Sequence, residues 1–252
     1  MRVEAAGGLY LGDRALQQDS VLVFNDRQTD ICLLCLSDGI GGAGNGHLAS
    51  RMIVRTAMED LKAHLADITA GAYLPGILDH AAQAANEAIG RAVAQHPDKS
   101  GMGGTLLLAV IRNKTLHFLS VGDSLIFRLR KGKLQRLNQL HSLAASAGHL
   151  VATGRMTGRT IQAAASGTLT SALTGQELQK IELSADGLAW AGGDILLLAS
   201  DGIESLSEDD IVRAISIAPE KGAAAAVATL IAEVEALAAS GQDNVSAIVV
   251  VD

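Results

Sequence analysis

An α+β fold, with β-sheets packed together and helix pairs outside them, is what the order of elements in this chain predicts. Three observations carry that expectation. Strand-length apolar runs come first, then two stretches of helical period, then strands, two more helical stretches and a closing strand. The middle strands are joined by turns of a few residues, as in an antiparallel meander. No internal repeat and no long linker interrupts the chain, so residues 1–252 read as a single domain.

Each element follows from its own pattern. The opening stretch alternates strand-like runs and turns, with apolar runs at 21–24 and 31–36, and a glycine-rich turn fills 39–46. Residues 48–65 place Ile53, Ala57, Leu61 and Leu65 at helical spacing. Residues 77–93 do the same with Ile77, Ala81, Ala84, Ala88 and Ala92, and Pro75-Gly76 is expected to separate these helices. Strands follow at 105–111, 116–121, 125–129 and 134–137, turning at Asn113-Lys114, Gly122-Asp123 and Lys131-Gly132-Lys133. Residues 141–175 are rich in Ala, Gly, Ser and Thr with weak periodicity, and read as a short helix and a mobile surface segment. Strands return at 181–183 and 195–199. Helices are expected at 208–217, capped by Ser207, and at 223–239, before a last strand at 245–251.

Composition bounds the function. The chain is 48% hydrophobic but only 2% aromatic, so its core must be built from Leu, Ile, Val and Ala. A formal charge of −7 leaves no basic footprint for nucleic acid. No apolar run is long enough to span a membrane, and the N-terminus lacks a signal-peptide pattern. A cytoplasmic location is the resulting expectation. Cys32 and Cys35 have C-x-x-C spacing, but they lie in a run that reads as a buried strand. There, side chains three apart point to opposite faces, which argues against a redox pair or half a zinc site. The seven histidines show no ligand spacing on one helix face.

The chemistry lies in short acidic motifs. They are Gln17-Gln18-Asp19, Asp38-Gly39-Ile40-Gly41-Gly42, Gly122-Asp123-Ser124, Ser200-Asp201-Gly202 and Asp243-Asn244. Each Asp stands at the end of an apolar run or at a turn beside one. A carboxylate there is costly unless it is paired or holds a metal. Several of them without a surplus of basic partners point to a hard cation, Mg²⁺ or Mn²⁺, which prefers oxygen ligands. Two such ions about 3.5–4 Å apart can clamp an in-line displacement on phosphorus. Asp38 is the best candidate to bridge them, because Gly39 frees the neighbouring carbonyl to turn toward a metal.

Gly39-x-Gly41-x-x-Gly44 also fits the dinucleotide-binding fingerprint. Asp38 would repel a pyrophosphate, however, and no short strand ending in an acidic residue follows. The β-meander does not suit a doubly wound sheet either.

Taken together, the motifs resemble the protein phosphatase 2C family of metal-dependent protein Ser/Thr phosphatases, bacterial type. Arg14-Ala15-Leu16-Gln17-Gln18-Asp19 is similar to the family's R-x-x-N-[QE]-D, and Asp38 to Gly42 to its D-G-x-G-G. Met102-Gly103-Gly104-Thr105 resembles M-G-[TS]-T, and Val121 to Ser124 matches V-G-D-S. Leu198 to Gly202 resembles L-x-S-D-G, and Asp243 to Ser246 resembles D-N-[VI]-[TS]. The order holds along nearly the whole chain.

The resemblance implies a four-layer sandwich of two mostly antiparallel sheets with helix pairs on both outer faces. It implies hydrolysis of phosphoserine and phosphothreonine in proteins by a metal-activated water, opposing a bacterial Ser/Thr kinase. Asp38 would bridge two Mn²⁺ or Mg²⁺ ions, with Gly39 lending its carbonyl. Asp201 and Asp243 would complete the first metal, and Asp123 with Asp201 would hold the third metal of bacterial members. Asp19 would act through metal-bound water, and Arg14 would bind the substrate phosphate. The partners implied are a phosphorylated protein, a Ser/Thr kinase or its target, and the chain is expected to act as a monomer. The segment at 141–175 corresponds to the family's flap.

This sequence also departs from the pattern. Gln17 replaces Asn, and Ile40 stands where eukaryotic members carry a His proposed as general acid. Leu125 follows Gly-Asp-Ser where Arg is usual, and Leu140 precedes His141-Ser142 where the family has Asp. A catalytically silent domain of the same fold, binding phosphoproteins or regulating a partner, is the alternative reading.

Overall fold

The computed structural model of the chain describes residues 3–26, 28–143 and 168–252. Two sheets are stacked, and all their strand pairs are antiparallel. The first runs β1 (Glu4–Tyr10), β12 (Val245–Val251), β11 (Ile195–Ala199), β7 (Leu125–Arg130), β8 (Lys133–Arg136). The second runs β10 (Leu188–Ala189), β6 (Thr115–Val121), β5 (Leu106–Arg112), β3 (Ile31–Ile40), β2 (Asp19–Asp26). Two short strands extend it, β4 (Gly103–Gly104) on β3 and β9 (Glu182–Leu183) on β6.

Helices cover both outer faces. Over the second sheet lie α1 (Asn45–Ala63), α2 (Leu65–Ala70) and α3 (Leu74–Gln95). Over the first lie α4 (Glu208–Ile215), α5 (Ala218–Lys221) and α6 (Ala223–Leu237). The result is the four-layer sandwich expected above.

Side-chain alternation builds three core layers. Along β3, Ile31, Leu33 and Cys35 face the helices, while Cys32, Leu34 and Leu36 face the other sheet. In β11, Ile195, Leu197 and Ala199 face α4–α6, while Leu196 and Leu198 enter the layer between the sheets. In β12, Val245, Ala247, Val249 and Val251 face the helices, while Ile248 and Val250 point inward. With both faces of the inner strands covered, these runs are almost wholly apolar. Each fully buried Leu or Ile contributes on the order of 1.5–3 kcal/mol. Cys32 and Cys35 are both buried and free, and lie in different core layers, as a strand requires.

Some boundaries differ from the sequence expectation. Pro75 does not separate the helices; it lies in the first turn of α3, which begins at Leu74. A proline is tolerated there because the first turn's N–H groups have no intrahelical partner. The break instead falls at Gly71, which ends α2 with φ 95°. The helix expected at 208–217 stops at Ile215, and Ala218–Lys221 forms a separate turn of helix. Its cap is as expected: the Ser207 hydroxyl accepts from the Asp210 N–H at 3.2 Å in a capping box.

Strand β1 falls in the opening stretch read as alternating strands and turns, but no apolar run marks its bounds, because Gly7 and Gly8 lower its β propensity. Gly8 is explained by packing: a Cβ there would lie 2.5 Å from Val227 Cγ1 of α6. The reading of 141–175 as a short helix and mobile segment falls mainly on residues 144–167, outside the described residues. Its described ends are joined: Ser142 bridges to Leu169, and Leu173 bridges to Gly104.

Candidate metal centre

Five carboxylates are delivered to one end of the sandwich by strand ends from both sheets. Asp38 lies two residues before the end of β3, directly opposite Asp19, the first residue of β2. Asp123 sits in the turn between β6 and β7. Asp201 opens a short 3₁₀ turn (Asp201–Ser205) after β11, and Asp243 stands two residues before β12, the neighbour of β11. Antiparallel pairing is what gathers these ends: the exit of one strand lies beside the entry of the next.

Hydrogen bonds hold the backbone around them. The Asp38 N–H donates to Thr105 Oγ1 at 2.9 Å, and the Thr105 N–H donates to the Asp38 carbonyl at 2.8 Å. Thr105 Oγ1 also pairs with Ser124 Oγ at 2.8 Å, tying the Asp38 strand to the Asp123 turn. Asn244 accepts from the Gln18 N–H at 2.8 Å and donates to the Leu11 carbonyl at 2.7 Å. It thereby joins the Asp19 and Asp243 segments. Ser200 donates to Asp19 Oδ2 at 2.7 Å and accepts from the Ser246 N–H at 2.9 Å. His141 serves locally, as its main chain donates to the Gly122 carbonyl at 2.8 Å.

Gly39 is required by a close approach. A Cβ there would lie 2.1 Å from the Gly46 carbonyl and 2.6 Å from that of Gln18. The first turn of α1 is thus seated against β3 beside Asp38.

The electrostatics are those of a cation site. Burial, then the charges of Asp19, Asp201, Asp123 and Asp243, push Asp38 well above the usual carboxylate range. Burial raises Asp19 to about 6, against the hydrogen bond from Ser200. Burial and the charge of Asp201 raise Asp123 to about 6. Asp201 is pushed up by burial, Asp243 and Glu204. Such shifts mark anions held together at a cost that a bound cation would relieve. Among the described residues one ion pair reaches the group, Arg14 to Asp243 at 2.7 Å, with both side chains partly exposed.

The oxygens that would hold a cation are the carboxylates of Asp38, Asp123, Asp201 and Asp243 and the carbonyl of Gly39. Among the described residues no three of the carboxylates lie within 4.8 Å of one another, oxygen to oxygen. Asp201 and Asp243 also line an open cleft of about 300 Å³ with Ser205, Ser240 and Gln242.

All seven sequence candidates, Arg14, Asp19, Asp38, Gly39, Asp123, Asp201 and Asp243, therefore fall in one neighbourhood. Reading acidic residues alone missed Thr105, Ser124, Ser200 and Asn244, which hold the frame. Their signal was their place inside the same motifs.

Comparison with known proteins agrees with this geometry. Residues 10–223 match the family model for protein phosphatase 2C. The serine/threonine protein phosphatase PstP of Mycobacterium tuberculosis is 34% identical over 219 residues, which is 86% of this chain and 40% of that protein. The chain thus spans well under half the length of that curated relative. A crystal structure of the M. tuberculosis phosphatase PstP/Ppp superposes with TM-score 0.77 at 31% identity, covering 99% of this chain and 98% of that one. The catalytic domain of PstP in complex with two manganese ions gives TM-score 0.75 at 31% identity, covering 99% of each chain. With the family model matched over residues 10–223 and these relatives above 30% identity, the chain belongs to the protein phosphatase 2C family.

Proposed function

We propose that this chain hydrolyses phosphoserine and phosphothreonine esters in proteins, using two divalent cations held by Asp38, Asp201, Asp243 and the Gly39 carbonyl. The observation that carries this reading is the convergence of four further carboxylates, Asp19, Asp123, Asp201 and Asp243, on Asp38. When bound, the cations activate water and draw charge from the phosphoryl oxygens. Asp123, with Asp201, is the pair available to a third ion, and Mn²⁺ or Mg²⁺ suits the all-oxygen donors. Asp19, hydrogen-bonded by Ser200, would act on the cations through water.

Arg14 is the phosphate grip. Its guanidinium rests on Asp243, and with that carboxylate turned to a cation the fork would be free for a phosphate. The named phosphatases among the relatives support a phosphoprotein substrate, and with it an opposing Ser/Thr kinase. No helix among the described residues is long and apolar enough to cross a membrane.

Turnover of p-nitrophenyl phosphate and of a phosphothreonine peptide tests the reading. Both are expected to vanish in EDTA and return with Mn²⁺. No turnover at any Mn²⁺ concentration would make the chain a silent binding domain, and full turnover in chelator would remove the cations from the chemistry. Arg14→Ala is expected to raise KM more than it lowers kcat, since a grip made in both ground and transition states is uniform binding. The loss in kcat/KM is about 2–3 kcal/mol, the scale of a charge-assisted hydrogen bond. Arg14→Lys is expected to recover a fraction of it. An unchanged kcat/KM on the phosphopeptide would reduce Arg14 to a surface ion pair.

A further inference from the structure

A second set of metal-type ligands meets on the helical layer, away from the carboxylate centre. Asp60 and His64 stand one turn apart at the end of α1, on the same face of the helix. His80 approaches them from the second turn of α3. Asp60 Oδ2 lies 3.0 Å from His80 Nδ1 and 3.6 Å from His64 Nδ1. One ligand atom from each of the three residues lies within 4.8 Å of the other two.

These distances suit a small cation. A tetrahedral Zn²⁺ with bonds of about 2.0–2.1 Å keeps its ligand atoms about 3.4 Å apart. The two Asp–His separations bracket that value. The imidazole rings meet edge to face, with centroids 5.3 Å apart, so both converge on the one carboxylate. The Asp60 side chain is 15% exposed, whereas that of His80 is 63% exposed, which leaves an open side for an ion and its water. Asp79 and Glu87 add negative charge around His80.

We propose that Asp60, His64 and His80 bind a late first-row divalent cation of the Zn²⁺ type, clamping the end of α1 to α3. Two imidazoles and one carboxylate favour such an ion over Mg²⁺, which distinguishes this site from the all-oxygen centre. Binding displaces the contact of His64 Nδ1 with the Asp60 carbonyl at 2.9 Å. Three protein ligands leave the remaining position to water.

Calorimetric titration of the full chain with Zn²⁺, in saturating Mg²⁺, tests the site. Wild type is expected to bind one Zn²⁺ that His80→Ala weakens at least ~10-fold, since a lost direct ligand exceeds the effect of a lost outer partner. The double variant His64→Gln, His80→Ala is expected to lose it. Mn²⁺-dependent turnover and the metal-free circular dichroism should match wild type in both variants. Co²⁺ gives a second readout: visible absorption bands of a four-coordinate ion in wild type and none in the double variant. Identical Zn²⁺ isotherms in wild type and the double variant, or Co²⁺ bands that survive in the latter, would overturn the proposal.

Discussion

Asp38→Asn is expected to lower kcat at least ~10²-fold, because it removes anionic charge from the ions on which the reaction rests. The fold should survive the change. In chelator the variant is expected to be as stable as wild type or more so, since burial and four neighbouring carboxylates already oppose the charge on Asp38. Turnover in saturating Mn²⁺ and thermal melts in EDTA measure the two effects. Near-normal turnover would take Asp38 out of the metal shell, and a large stability loss in EDTA would make its role structural.

The same repulsion sets a pH dependence. Asp19 and Asp123 rise from the ordinary 3.8 to about 6 in the folded chain. Between those values the native state binds more protons than the unfolded state, so stability falls as pH rises. The metal-free protein is therefore expected to lose thermal stability from about pH 4 to about pH 6 through these groups. Mn²⁺ is expected to restore more stability at about pH 7 than at about pH 5, where protons still occupy these groups. An equal Mn²⁺ effect at both would mean that ions and protons do not compete for these carboxylates.

Gly39→Ala is expected to be nearly as damaging as Asp38→Asn, through position rather than charge. The added methyl would lie 2.1 Å from the Gly46 carbonyl, and both flanking contacts are backbone, so a strand or the first turn of α1 must move. Overpacking of this kind costs about 1–3 kcal/mol. A shift of about 1 Å beside the reacting groups costs about 10²-fold in rate. Melting temperature and kcat should fall together. A variant with wild-type stability and turnover would show that α1 is not pressed against β3 in solution.

Much of this was legible in the chain itself. The apolar runs of β3, β5, β6, β11 and β12 identify themselves because both faces of each strand are buried. The acidic motifs were visible because aspartates at the ends of such runs need a reason to be there. Strand β1 has no apolar run to mark its bounds, since Gly8 makes room for α6, a neighbour more than 200 residues away in sequence. The start of α3 was misplaced because a proline is compatible with both a break and a first helical turn.

Composition, alternation and motif order by themselves determined the fold class, the mainly aliphatic core and the identity of the acidic residues. Only the tertiary structure decided how those residues are held and what lies beside them. Thr105, Ser200 and Asn244 act through contacts between segments far apart in the chain. Asp60 and His64 stand one helical turn apart, but His80 joins them only because α3 packs beside the end of α1. Periodicity reports which face of one element is buried; only packing brings two elements together, and both the cation centre and the histidine cluster are products of that packing.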